Sequence, residues 1–186
     1  MTTYEIVLFV HVVAVIGMFV GIGINNGIVI FARRAQDVST VRAVTSFGKP
    51  FGMSIPVFAI ATLLSGIYLV EDVWKWEHAW INLSLGLFIV ELAAGNLINE
   101  RRMKAIGKEA ATSPDGPLPP SLREKLHDPV LHAAEFTMTF ATLGIVYLMT
   151  VKPGTTGSLL ALGVAIAIGA AVSAALAPRG LRPAER

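Results

Sequence analysis

Four ionisable side chains lie inside long apolar segments of this 186-residue sequence: His11, Glu91, His132 and Glu135. Ionisable groups in hydrocarbon cost free energy, so each is a candidate for function. The neutral imidazole of His11 is suited to bind a metal or a haem iron, and the alternative is a histidine that hydrogen-bonds across helices. Glu91 falls near the middle of its segment, where an unpaired carboxylate is costly unless it is protonated.

His132 and Glu135 are three residues apart, so they share one face of a helix. One interpretation of this pair is a proton relay or a cation site. The other is a carboxylate paired with the histidine at the cytoplasmic rim. Helical rise places Asn25 and Asn96 at a similar depth, which predicts an inner polar layer made of these four residues.

A second, outer layer is predicted around His11, with Ser65 or Thr142 beside it and Glu91 near the midplane. Helical rise separates His11 from His132 by about 15 Å in depth. We therefore expect that these two histidines do not bind one iron together.

The composition predicts the elements that must position these residues. Hydrophobic residues make up 54% of the chain and charged residues 15%, against about 45–50% and about 25% in soluble domains. We predict an all-α fold, a polytopic membrane helical bundle of five transmembrane helices in a single domain over residues 1–186. The predicted spans are about 4–30, 51–70, 80–98, 129–150 and 158–177.

Two polar loops separate these spans on one side, at residues 31–50 and 99–128. In the first loop, Val38, Val41, Val44 and Phe47 recur every three residues, which predicts a short interfacial helix with its apolar stripe on the bilayer. The second loop contains the sequence SPDGPLPP, which favours an irregular segment between two short helical pieces.

The positions of the basic residues predict the orientation of the chain. Thirteen of the fifteen Lys and Arg residues fall in these two loops and the C-terminal tail. By the positive-inside rule they face the cytoplasm, which places the N-terminus outside and the C-terminus inside a bacterial-type inner membrane. Trp74, Trp76 and Trp80 mark the opposite interface. The net charge of +2 follows this topology and does not indicate nucleic-acid binding.

Small residues repeat at four-residue spacing along the first span, at Gly17, Gly21, Gly23 and Gly27. Such pairs let a second helix approach closely. The sequence leaves open whether that helix belongs to the same chain, to a second copy in a homo-oligomer, or to a membrane partner subunit. The chain also has no cysteine, which removes disulfides and thiolate chemistry.

The order of these features resembles that of the CopD-like and HemJ-like membrane proteins and of a related uncharacterised family of predicted integral membrane proteins. The shared features are a histidine two turns into span one, a basic loop, a second span opening near proline, and a tryptophan before span three. In HemJ-like proteins the first histidine binds haem b in an oxidase of protoporphyrinogen, and His11 matches it. The position of their lysine at span three is Asn82 here, and asparagine is a poor iron ligand. CopD-like proteins are associated with copper import, but this chain has no Cys and no Met cluster for Cu(I).

No complete catalytic constellation is visible, so enzymatic activity stays open. We favour a small membrane subunit or an assembly or interaction protein. The alternative is a haem b- or metal-binding redox or transport protein that uses His11, with Glu91 as a second candidate for cofactor binding.

Overall fold

The computed structural model describes residues 2–51 and 54–176, and within these ranges the chain forms α-helices and no β-strand. Helical ends follow local sequence: Thr2 and Glu5 form a reciprocal capping box at the first helix, and Pro129 occupies the first turn of the seventh. The helices are α1 (Thr3–Arg34), α2 (Val38–Gly48), α3 (Ser54–Leu69), α4 (Ala79–Ala94), α5 (Arg101–Thr112), α6 (Pro120–Leu126), α7 (Pro129–Val151) and α8 (Thr155–Leu176).

Five stretches of the described residues are long and apolar enough to cross a membrane, which confirms the predicted all-α membrane bundle. They run over Thr3–Arg34, Val38–Trp74, Ala79–Thr112, Pro120–Val151 and Thr155–Leu176. Large apolar side chains cover the outside of the bundle, among them Phe9 on α1, Leu64 on α3 and Leu160 on α8, each more than 60% exposed. An outer surface of this kind is stable against lipid and unstable against water.

The bundle consists of two tight helix pairs, α1 with α3 and α7 with α8, and α4 packs against the second pair. Met18, Ala59, Phe88 and Ile145 come from four different helices and form the core between the pairs. This arrangement places the inner face of α4 directly against α7.

The glycines of α1 divide into two groups. A Cβ atom on Gly17 would lie 2.6 Å from the ring of Phe58, and one on Gly21 would lie 2.7 Å from Ile55. Their close partner is therefore α3 of the same chain. A Cβ atom on Gly23 or Gly27 would meet nothing within 4 Å, so only these two leave space beside α1.

One end of the bundle, here called the basic end, is formed by α2, α5, α6 and the adjoining ends of α1, α7 and α8. The expectation that the valine stripe of α2 lies on the bilayer is wrong for Val38 and Val41, which are fully buried against Ile106 and Leu122. Phe47 remains exposed. A three-residue period predicts an apolar face but not its partner, and here α5 and α6 cover that face.

Polar contacts hold α2 in the basic end. Asp37 caps α2 by accepting hydrogen bonds from Ser39 and Thr40, which hold the pKa of its carboxyl below the usual range. Arg42 donates to the carbonyls of Ala110 and Ser113. It therefore joins α2 to the C-terminal end of α5.

At the opposite end, here called the tryptophan end, Trp74 and Trp80 pack edge to face with ring centroids 5.5 Å apart. The Lys152 ammonium lies 4.2 Å above the Trp74 ring, a cation–π contact. Trp80 is buried against Leu148, whereas Trp76 is exposed. Two of the three tryptophans thus join helices as well as marking this end.

Candidate functional site

Glu135 is the centre of a buried polar cluster where α1 and α7 meet Gly95–Glu100, the helical segment that continues α4. Its two carboxylate oxygens accept one hydrogen bond each, from the Asn25 amide at 2.6 Å and from the Asn99 amide at 2.7 Å. Only 5% of the Glu135 surface is exposed. Two asparagines from two other helical segments therefore hold this carboxyl in the interior.

The predicted inner layer contained Asn96, and the structure places Asn99 there instead. Asn96 is exposed, whereas Asn99 is buried. In a regular helix, which turns about 100° per residue, Asn99 would point about 80° away from Glu91. The π-helical segment Gly95–Glu100 adds residues per turn and brings Asn99 onto the Glu91 face. The sequence offers no clear signal for that segment.

Two more polar side chains extend the cluster along α1 and α7. The Asn26 amide donates to the Thr139 hydroxyl at 3.0 Å. The side-chain oxygens of Asn26 and Asn99 are buried and accept no hydrogen bond from the described residues. These two amide oxygens can therefore accept further hydrogen bonds.

Glu91 forms a second buried carboxyl site between α4 and α7. One of its oxygens accepts a hydrogen bond from the Thr142 hydroxyl at 2.9 Å. Its other oxygen and the Ser84 hydroxyl, two turns away on α4, are buried without a partner among the described residues. Thr142 therefore contacts Glu91, and it is not the neighbour of His11.

Neither buried carboxyl has a basic partner among the described residues. Within residues 2–51 and 54–176, no Lys, Arg or His forms an ion pair with Glu91 or Glu135. A lone negative charge inside a membrane protein is costly. A proton or a small cation is the simplest way to neutralise it. The term polar track is used below for the buried polar residues on these helices, namely Ser84, Glu91, Asn99, Thr142 and Glu135.

His132 is separate from this track, so the predicted pairing with Glu135 is wrong. Its Nε2 atom donates to the Leu126 carbonyl at 3.0 Å, and the ring lines a cavity at the basic end. Glu135 uses both of its oxygens for asparagine amides. The three-residue spacing placed both residues on one side of α7 but did not determine which neighbours each would meet.

His11 lies between α1 and α3. Its Nδ1 atom lies 3.1 Å from the Thr62 carbonyl oxygen and 3.0 Å from the Ser65 hydroxyl. A carbonyl oxygen only accepts, so Nδ1 carries the hydrogen and Nε2 of the neutral ring keeps a lone pair. Gly66 leaves room for the ring, since a Cβ atom there would lie 3.1 Å from it.

His11 and His132 are farther apart than predicted. Asn25 follows His11 by 14 residues in one continuous helix, which is about 21 Å. Asn25 contacts Glu135 at 2.6 Å, and His132 lies about one turn beyond Glu135 towards the basic end. The estimate of about 15 Å was too short because α1 continues into the basic end. The two histidines cannot share one iron.

The position that matches the lysine of HemJ-like proteins also lies elsewhere. Asn82 is exposed and donates to the Trp76 carbonyl at 2.9 Å. In the part of the chain that the structure describes, no three His, Cys, Asp or Glu residues lie close enough to hold a metal ion. Of the two residues predicted to bind a cofactor, His11 and Glu91, only His11 offers a ring nitrogen.

Comparison with known families identifies the family of most of the bundle. Residues 5–153 match DUF2269, a family described as predicted integral membrane proteins. The chain belongs to this family. The match covers α1 to α7, so it includes Glu91, Glu135 and the asparagines around them. Membership agrees with the membrane fold and with the predicted likeness to an uncharacterised membrane family, and it assigns neither haem nor copper. No curated protein and no solved structure matches the chain.

Proposed function

We propose that this membrane protein carries protons through the interior of its bundle, with Glu135 and Glu91 as the groups that bind them. One observation supports the proposal above all others. Two buried carboxyls lie at the contact of α7 with α4 and the segment that follows α4, and each is hydrogen-bonded to a residue across that contact. Neither has a basic partner among the described residues. Buried carboxyls of this kind are typical of proton relays in membranes.

The surroundings of Glu135 suit both of its protonation states. The amides of Asn25 and Asn99 donate to an ionised carboxylate, as described above. Each amide also carries an acceptor oxygen. Rotation of the Asn99 amide would turn its unpartnered oxygen towards Glu135, where it accepts the hydrogen of the protonated acid. The two asparagines can therefore hydrogen-bond Glu135 both before and after it takes up a proton.

The spacing along the polar track sets how protons would pass. Glu135 and Thr142 are seven residues apart on α7, as are Ser84 and Glu91 on α4, which is about 10 Å in each case. These steps exceed a direct hydrogen bond. Buried water binds where unpartnered polar atoms lie, and Glu91 and Ser84 each supply such an atom. Protons would therefore move through short water chains between carboxyls.

Proton flux into liposomes tests this function. Purified protein is reconstituted with a pH-sensitive dye inside, and a potassium gradient with valinomycin drives protons inwards. We expect flux with the wild type and a loss of flux with Glu135→Gln, while Glu91→Gln reduces it. Glu124→Gln, which removes an exposed carboxylate on α6, is the matched control and should keep the wild-type rate. Equal flux for wild type, Glu135→Gln and empty liposomes would refute the proposal.

We further propose the inner membrane as the location, with the N-terminus outside and the C-terminus in the cytoplasm. The concentration of Lys and Arg at the basic end supports this orientation. A reporter inserted at Gly154 should read as exterior, and one inserted within residues 113–117 should read as cytoplasmic. The reverse pattern would overturn the orientation.

A role as a small membrane subunit or interaction protein is a further proposal, restricted to one part of α1. Gly23 and Gly27 leave open space beside the helix, which suits a second helix from a partner or another copy. Gly27→Leu should then weaken co-purification of a partner or dissociate an oligomer in mild detergent. A monomeric wild-type protein without a bound partner would contradict this role.

The second candidate function is haem or metal binding at His11, which the resemblance to CopD-like and HemJ-like proteins suggests. The Nδ1 hydrogen bond to Thr62 leaves Nε2 as the metal-binding atom, an arrangement common for histidine ligands. An absorbance spectrum of the purified protein should then show a Soret band, and His11→Ala should remove it. A colourless, metal-free and folded wild-type protein would exclude this function.

A further inference from the structure

A cavity of about 280 Å³ opens at the basic end. It lies where the C-terminal end of α1 meets the junction of α6 with α7 and the end of α8. Its lining includes two arginines and two histidines, Arg33, Arg34, His127 and His132. Ile30 and Phe136 form apolar walls. The volume is close to the lower limit of small-molecule sites, about 300 Å³.

Among the described residues, the cavity gathers positive charge without compensation. None of them contributes a carboxylate to its lining, and neither Arg33 nor Arg34 forms an ion pair with any of them. Asp128, the nearby acidic residue at the start of α7, is paired with Arg102 at 2.6 Å. Neighbouring guanidinium groups repel each other, and an anion between them would remove that repulsion.

Both histidines of the cavity are hydrogen-bonded to backbone carbonyls of the chain, and neither bond involves the side chain of Arg33 or Arg34. His127 donates from Nδ1 to the Arg123 carbonyl at 2.8 Å, and His132 donates from Nε2 to the Leu126 carbonyl at 3.0 Å. These bonds hold both rings as walls of the cavity. The planar donor forks of Arg33 and Arg34 match the oxygens of a phosphate group.

We propose that this cavity binds a phosphate group, supplied either by an anionic lipid headgroup or by a soluble phosphate. The cavity lies at the ends of membrane-crossing helices, at the level where headgroups lie. Basic pockets between such helices are suited to lipid phosphates. The apolar walls of Ile30 and Phe136 would contact the glycerol and the first acyl carbons of a lipid.

Binding is measured on the full chain in detergent, after exchange into buffer free of lipid and phosphate. One arm titrates inorganic phosphate, a second titrates short-chain phosphatidylglycerol, and a third titrates short-chain phosphatidylcholine, each followed by calorimetry. Saturable binding of phosphatidylglycerol alone assigns the site to a lipid headgroup. Saturable binding of inorganic phosphate assigns it to phosphate itself. Absence of saturable binding in both of these arms overturns the proposal.

Variants connect the binding to the cavity. The double variant Arg33→Gln with Arg34→Gln should lose affinity by about tenfold or more, equivalent to about 1.4 kcal/mol. The control double variant Arg101→Gln with Arg123→Gln removes the same two charges from exposed positions on α5 and α6 and should stay within about twofold of the wild type. An equal loss in both variants would mean diffuse attraction to the basic end and would overturn the cavity as the site.

A second double variant distinguishes loss of phosphate binding from misfolding of the glutamine variant. Arg33→Lys with Arg34→Lys keeps both charges but loses the planar forks. Its thermal unfolding without ligand should match the wild type, while its affinity for the bound phosphate compound falls between those of the wild type and the glutamine variant. Wild-type affinity in the glutamine variant would also overturn the proposal.

Discussion

At the scale of single residues, the interior of this bundle is defined by how each buried polar group is satisfied. Glu135 is held by two asparagine amides, whereas Glu91 has one hydroxyl partner, and its other oxygen accepts no hydrogen bond from the described residues. A buried polar group without a partner costs more than its hydrogen bond contributes. Of the two carboxyls, Glu91 is therefore the one whose burial depends on a single hydrogen-bond donor, the Thr142 hydroxyl.

Thr142→Val tests that dependence. Valine keeps the shape of threonine but leaves Glu91 without a protein donor, so we expect a loss of about 1–3 kcal/mol in the free energy of unfolding. Thr142→Ser keeps the hydroxyl and should lose much less. The measurement is reversible unfolding in mixed micelles. Equal stability of the valine and serine variants would mean that the Thr142 hydroxyl does not support Glu91.

At the scale of elements, close helix contacts decide which faces turn inwards. α7 and α8 approach closely at Gly169, where a Cβ atom would lie 2.7 Å from the Thr137 Cα and 2.9 Å from the Phe136 carbonyl oxygen. These are backbone atoms and cannot rotate away. Since α7 carries Glu135 and Thr142, this contact also positions the polar track.

Gly169→Ala should therefore force α8 away from α7. Overpacking of this kind costs about 1–3 kcal/mol, read as a lower thermal midpoint in detergent. Gly163→Ala, on the same helix but facing open space, is the matched control and should be neutral or slightly stabilising because alanine favours helix. A midpoint for Gly169→Ala equal to that of the control would contradict the close approach.

At the scale of the whole molecule, a small core outside the apolar bundle closes the basic end. Val38, Val41, Ile106, Leu122 and Leu126 are buried there on helices that are mostly polar on their other faces. Helices of this kind are held by packing rather than by lipid. The cavity of the basic end lies beside this core, so the core supports its walls.

Leu122→Ala removes a fully buried side chain from that core. We expect a loss of about 2–5 kcal/mol in the free energy of unfolding, together with weaker phosphate binding in the cavity. Leu143→Ala, on the exposed side of α7, should change stability by only about 0.5 kcal/mol. Similar effects of the two substitutions would indicate that the basic end has no core of its own.

Several features could be predicted from the sequence alone. Apolar composition and long apolar runs require helices in a bilayer, because only internally hydrogen-bonded segments are stable there. The same reasoning identified Glu91, Glu135 and His11 as costly residues inside spans. It also identified Asn25 as a neighbour of Glu135 in depth, since depth follows directly from helical rise.

Only the tertiary structure decided which groups meet. Asn99 replaces Asn96 because a π-helical segment shifts the helical register, and the valines of α2 face a protein core because α5 and α6 cover them. Gly17 and Gly21 pack on α3 of the same chain. The sequence determined each residue's depth and the polarity of its helix face through local periodicity. The rotation of one helix against another depends on contacts between distant segments, which no local pattern contains.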